Sequence, residues 1–357
     1  MTSSNHLPVA KIVVGVDTHS DEHVAVAIDH LGARLGQHRL PTTRAGYRGL
    51  DHWAGSLGEV VAFGIEGTGS YGAGLTRHLA SCGRTVIEVN RPDRSTRRRL
   101  GKSDPIDAEM AARAVLAGVA KDAPKSGLDN VEMIRMLKIV KDSAIKARTQ
   151  TINQMKALMV TAPVELRHTL VGLTVRRLVA RCANFRPGKL VTVLAAAKHA
   201  LRSLARRHGQ LNSEIEVIGG ELRRLTSETA PALVDVFGIG PDTAATLLVT
   251  AGSNPERLRS EAAFAALCGV NPIPASSGKT NRHRLNRGGD RQANRALHRI
   301  VLVRLRYHEP TKEYMSRRVG EGMTKLEVIR CLKRYVARQI YPIIRASGDQ
   351  NIAMTAP

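Results

Sequence analysis

At 357 residues and 43% hydrophobic content, the chain is long enough for two or three domains, each with its own core. A formal net charge of +23 selects a polyanionic partner, foremost nucleic acid, and residues 276–345 alone hold 18 Lys/Arg against 5 Asp/Glu. Aromatics at 3% argue against stacking on unpaired bases, and four scattered cysteines without a CxxC pair exclude the usual zinc spacings.

Residues 1–10 read as a loose tail. Lys11–Asp17 is a β-branched run ending in an acid, the pattern of a buried strand. His23–Ile28 forms a second strand, Leu31-Gly32-Ala33 a hairpin turn, and Leu35–Leu40 a third strand. A helix over Ala45–Leu57 precedes another buried strand, Val60–Glu66, which again ends in an acid. The glycine-rich Gly67–Gly72 follows, then a helix (Ala73–Ser81), a strand (Thr85–Val89) and a helix (Pro105–Ala117). This βββαβαβα order is that of a ribonuclease H-like α/β domain, here residues 10–120.

From 128 to 228 strand signals give way to helical ones. Leu201, Leu204, His208, Leu211, Ile215, Ile218, Leu222 and Leu225 form an a/d heptad. Its expected partner is Val131–Met159, where Ile145, Ile152 and Met159 recur at sevens, although Lys141 and Arg148 interrupt the seam. The reading is an antiparallel coiled-coil arm, also suited to a dimer contact. Residues 229–346 are expected to be mainly α. Val236–Leu248 has the form of a helix-hairpin-helix, in which Gly238 and Gly240 let the backbone approach a phosphate. A basic helical tail over Gln292–Arg345 ends the chain, with residues after Ser347 frayed.

Four carboxylates stand out. Asp17 and Glu66 end two strands, so they can converge at one sheet edge. Asp104 and Asp107 open the last helix of the domain three residues apart, on one face. Four acids in one place repel, and divalent cations such as Mg²⁺ or Mn²⁺ relieve the repulsion while clamping a phosphodiester. The plainer reading makes Asp104 an N-cap and Asp107 a dipole-favoured helix residue. His19 and His23 invite a zinc reading, but no further ligand at suitable spacing supports it.

A second constellation lies at Ser276-Ser277-Gly278, followed by Arg282, Arg284, Arg287, Arg291 and Arg295. Guanidinium groups hold phosphates bidentately, and a hydroxyl beside them suits a nucleophile. The same residues also fit a flexible loop ahead of a nucleic-acid-binding helix.

Together, Val14-Gly15-Val16-Asp17, Gly64-Ile65-Glu66-Gly67-Thr68-Gly69 and Lys102-Ser103-Asp104-Pro105-Ile106-Asp107-Ala108 resemble the DEDD signature of insertion-sequence family 110 transposases. The stretch from Gly269 to Arg295 resembles that family's C-terminal transposase domain, while the arm carries little signature. The resemblance implies that residues 10–120 are RuvC-like, within a homo-oligomeric recombinase acting on donor and target DNA, guided by a structured bridge RNA encoded by its own element. It further implies that Asp17, Glu66, Asp104 and Asp107 hold metal and that Ser277 attacks the phosphodiester. The family pattern sets the serine directly before glycine, which favours Ser277 over Ser276. With neither a signal peptide nor an apolar run of the ~18 residues that span a bilayer, a cytoplasmic protein without membrane contact is expected. A RuvC-like junction nuclease, using metal-activated water and no covalent serine intermediate, is the alternative.

Overall fold

The computed structural model describes residues 10–89, 103–125, 127, 129–253, 258–278 and 283–355, with side chains as far as Ser347. They fall into two compact units, one made of the described residues up to 129 together with those of 252–259, the other of residues 130–251 and the described residues of 260–354.

The first unit is a mixed five-stranded sheet in the order β3-β2-β1-β4-β5. Its elements are β1 (Lys11–Thr18), β2 (Glu22–Asp29), β3 (Arg34–Pro41), α1 (Arg44–Leu57), β4 (Glu59–Glu66), α2 (Ala73–Ser81), β5 (Val86–Val89) and α3 (Asp104–Leu116). β1, β2 and β3 pair antiparallel, whereas β1–β4 and β4–β5 are parallel. Among the described residues the element order is the one expected from the sequence, with boundaries shifted by one or two residues.

Strand alternation divides β1 between two cores. Ile12, Val14 and Val16 pack with Phe63 and Ile65 of β4 beneath α1 and α2, whose Leu50 and Leu75 are fully buried. Val13 faces the opposite side with Val24, Val26 and Ile28, beneath Ala108 and Ala112 of α3. Burying each such Val, Leu or Ile contributes about 1.5–3 kcal/mol, so both faces of β1 hold it in register.

The second unit is mostly helical. α4 (Asn130–Thr161) and α7 (Val193–Thr229) pack along each other, bridged at one end by α5 (Val164–Leu170) and α6 (Val175–Ala183). Met155, Leu166, Leu170, Leu178 and Leu201 form the core of that end. Among the heptad positions Leu201, Leu222 and Leu225 are buried and those between them half-buried, as two helices without a third must leave them. The two cations interrupting the seam have partners. Arg148 Nη1 donates to Asn212 Oδ1 at 2.8 Å, and Lys141 lies 3.1 Å from Asp242.

The chain then forms α8 (Pro231–Val234), α9 (Pro241–Ala251), α10 (Glu261–Leu267), a hairpin of β6 (Pro272–Pro274) and β7 (His283–Leu285), α11 (Arg291–Tyr307), α12 (Glu309–Gly320) and α13 (Lys325–Thr355). α13 continues past Ser347, where the sequence reads as frayed, and accommodates Pro342 within it. No helix among the described residues is long and apolar enough to cross a membrane.

Candidate active site

Two glycines build the acidic site. Gly15 and Gly64 are direct partners in the β1–β4 ladder, two residues before Asp17 and Glu66. A Cβ on Gly15 would lie 1.9 Å from the Ala108 carbonyl oxygen and 2.4 Å from the Ala112 nitrogen. On Gly64 it would meet Val115 at 2.7 Å and the Ala111 oxygen at 3.0 Å. The side-by-side glycines therefore make a flat floor on which the alanine face of α3 lies almost against the strands. Alternation then sends the Asp17 and Glu66 side chains to the α3 face.

The N-terminus of α3 arrives at the same place. The N-cap position is Ser103 and Asp104 is the first helical residue, so the N-cap reading of Asp104 is not met. Proline at the next position presets the helical φ. Asp17 and Asp107 are buried, while Glu66 and Asp104 are half-exposed. Burial raises the Asp17 carboxyl above its ordinary pKa; His19 opposes that shift, and Glu66, Asp107 and Asp104 reinforce it. The other three acids predicted from the sequence, Glu66, Asp104 and Asp107, thus each sit within electrostatic reach of Asp17.

In the second unit the hairpin carries Ser276, Ser277 and Gly278 in the connection between β6 and β7, all three exposed. Its roots are fixed by amides. Asn286 Nδ2 donates to Asn271 Oδ1 at 2.7 Å and to the Ala266 carbonyl at 3.1 Å. Asn294 Nδ2 donates to the Cys268 and Gly269 carbonyls, and Lys333 Nζ donates to Asn294 Oδ1 at 2.9 Å. The flanking segments cross at Gly289, where a Cβ would be 2.2 Å from the Gly269 nitrogen. Arg284 lies on β7, Arg287 follows it, and Arg291 and Arg295 lie on α11, all exposed. Arg282 lies outside the described residues.

The helix-hairpin-helix reading meets a short first helix, since α8 is a single turn of four residues. Gly238, with φ 88°, is packed at the turn, where an added Cβ would meet Arg304 at 3.3 Å. Gly240 has open space beside it, ahead of the first turn of α9.

Residues 14–162 match the transposase model for the DEDD domain of IS110 elements, and residues 230–316 match the model described as Transposase IS116/IS110/IS902 family. The chain carries IS110-family transposase domains. No curated protein matches it.

In the transposase, one residue joins the acidic site that spacing alone set aside. His19 Nε2 lies 3.2 Å from Asp17 Oδ2 and 3.5 Å from Asp104 Oδ1, and ligand atoms of these three residues all fall within 4.8 Å of one another. The signal was a histidine two residues beyond a strand-end carboxylate, on the turn into β2. His23 plays another part. It is a core residue that stacks on Tyr47 and accepts the His19 backbone N–H at Nδ1, and burial lowers its pKa. Carboxylate oxygens drawn together against their own repulsion suit a divalent cation, and the acidic site fits one.

Proposed function

We propose that this transposase cuts and rejoins DNA through attack of Ser277 on a phosphodiester, assisted by a divalent metal, Mg²⁺ or Mn²⁺, at Asp17, Glu66, Asp104 and Asp107. The observation carrying the metal half is the glycine floor, which gathers acids from β1, β4 and the start of α3 at one end of the sheet. A cation bound there supplies Lewis acidity to a phosphate oxygen.

The protein's own groups do the rest. The Ser277 hydroxyl loses its proton and forms an O–P bond, while the bond to one sugar oxygen of the strand breaks and that oxygen takes up a proton. Rejoining reverses the exchange with a different sugar oxygen. Arg284 on β7 and Arg287, Arg291 and Arg295 at the hairpin's root offer donors for the phosphate backbone, and Arg282 completes the set in sequence. The exposed position of Ser277 in a hairpin with anchored roots supports its role as the attacking group. Gly278, with φ 55°, takes a left-handed backbone conformation directly after that serine, which glycine adopts without strain.

In this reading the chain works as a homo-oligomer on donor and target DNA with an element-encoded bridge RNA. Residues 10–120 are the RuvC-like part, 128–228 a coiled-coil arm, and 229–346 the serine-bearing part with its helix-hairpin-helix. The acidic site supports a second reading equally well, a RuvC-like junction nuclease that hydrolyses by metal-activated water.

Separate Ser277→Ala, Ser276→Ala and Asp104→Ala variants, assayed for excision of the parent element, test the proposal. Ser277→Ala and Asp104→Ala should each abolish excision, and Ser276→Ala should keep it. Retained excision in both of the first two refutes the mechanism. A denaturant-stable protein–DNA adduct, absent in Ser277→Ala, separates serine attack from hydrolysis.

A further inference from the structure

The helical unit holds a second cleft, lined differently from the serine hairpin. α4, α9 and α11 enclose about 760 Å³. One wall is a stripe of α4, where Lys146, Thr149, Gln150, Asn153 and Gln154 recur at helical spacing and are exposed. From Ser143 to Thr161 this helix contains no Asp or Glu. A merely solvated helix face mixes acids with bases; this one offers amides, a hydroxyl and a lysine only.

The opposite wall is α11, which contributes Gln292, Arg295 and Arg299. The acids at the cleft are already matched. Asp242 lies 3.1 Å from Lys141, 3.3 Å from Lys138 and 3.4 Å from Arg299, and Asp142 lies 2.7 Å from Lys138. Four cations line the cleft with two acids, Lys141 adds a further partner for Asp242, and Lys146 and Arg295 supply positive charge not spent on neutralising those acids.

The cations also have a direction. Arg291, Arg295 and Arg299 are four residues apart on one exposed face of α11, a step of about 6 Å along the axis. That step is close to the distance between successive phosphates on a strand. Arg295 lines this cleft and also a smaller one of about 440 Å³, shared with Arg287, Arg291 and His298 at the root of the serine hairpin. A track of positive charge therefore runs from the hairpin into the α4 cleft.

We propose that the α4–α9–α11 cleft is a nucleic-acid site separate from the phosphate that meets Ser277. Lys146 and Arg295 take phosphates, and the amide and hydroxyl wall takes sugars and base edges. The site rests on the nucleic-acid reading of this unit but not on the serine chemistry. Amides both donate and accept, as a ribose 2′-hydroxyl does, and the shared chemistry is a sugar–phosphate backbone of RNA or DNA.

The test is equilibrium binding by the full chain to a labelled RNA duplex and to a DNA duplex of the same sequence, over a salt series. The paired substitution Gln150→Glu/Asn153→Asp keeps shape and sets two negative charges on the wall; it should weaken binding about tenfold or more. Lys146→Gln should lower the slope of log K against log salt by about one. The control Gln210→Glu/Ser213→Asp adds the same charge to an exposed face of α7 and should leave binding unchanged. All these positions are exposed, so circular dichroism and melting should match the wild type. Loss on RNA alone assigns the cleft to a ribose-bearing strand, and equal loss on both assigns it to backbone contacts common to the two. Wild-type affinity and salt slope in both cleft variants, or equal loss in the control, overturns the proposal. Because no catalytic step is read, failure of the serine mechanism in the excision assay would leave this result standing.

Discussion

Gly15→Ala is the sharpest test of how the acidic site is assembled. The new methyl would sit 1.9 Å from the Ala108 oxygen and 2.4 Å from the Ala112 nitrogen, whereas ordinary contact begins at 3.4 Å. Relief requires α3 to lift from β1 by about 1.5 Å, the difference between 3.4 and 1.9 Å. Both obstructing atoms belong to helix backbone, so no side-chain rotation helps. Overpacking of this kind costs about 1–3 kcal/mol, and a backbone collision belongs at the upper end. For a unit of this size that lowers the melting temperature by roughly 10 °C. The same lift carries Asp104 and Asp107 away from Asp17 and Glu66, and metal–oxygen bonds of about 2.0–2.1 Å do not tolerate it. Melting and Mn²⁺ titration of the full chain measure both effects, and Mn²⁺ affinity should fall at least tenfold. Gly69→Ala is the control, since nothing lies within 4 Å of its added Cβ. A Gly15→Ala protein that melts within a degree of the wild type and binds Mn²⁺ unchanged would refute the glycine-floor account.

Asp17→Asn should stabilise the metal-free chain while weakening metal binding. The folded Asp17 carboxyl holds its proton to higher pH than the unfolded one, so that stability is lost as pH rises from about 4 through the raised value. Melting curves against pH should converge at low pH and separate above it, and a saturating divalent cation should reverse their order. Asp242→Asn should destabilise by about 2 kcal/mol at neutral pH, because Lys138, Lys141 and Arg299 lose their counter-charge. Burial alone would raise the Asp242 pKa, but Lys138 and Lys141 outweigh it and the pKa is lowered. Its contribution is therefore present above the unfolded carboxylate value and lost as pH falls through the lower folded one, and denaturant unfolding at pH 7 and pH 3 should show the variant's deficit shrinking. In a thiol-labelling time course at pH 8, exposed Cys82 should react first. Buried Cys182 and Cys268, pushed up to about 11 and about 12, should react only on unfolding.

The strands and helices of the first unit were legible because each carried a strong local signal: β-branched runs for β1 and β4, glycine-rich turns, and the Asp-Pro opening of α3. The four acids were legible as endings of such elements. Other features depended on contacts between distant segments. His19 lacked a further ligand at suitable spacing in the sequence, until the turn into β2 placed it beside both Asp17 and Asp104. Lys141 appeared only to spoil a heptad, yet it answers Asp242, a hundred residues further along. Arg282, Arg284, Arg287, Arg291 and Arg295 were visible in the sequence, but not which of them line a cleft.

By itself, the sequence determined which segments become strands and helices, that acids end two of them, and that positive charge gathers near the serines. Those are properties of residues a few positions apart. Only the tertiary structure decided that Gly15 and Gly64 are ladder partners, because register is set by the packing of both sheet faces and not by either strand alone. That pairing lets α3 lie flat on the sheet and brings Glu66, Asp104 and Asp107 within electrostatic reach of Asp17. The cleft between α4, α9 and α11 has the same origin, since its walls come from residues about 150 positions apart and exist only once the helices pack.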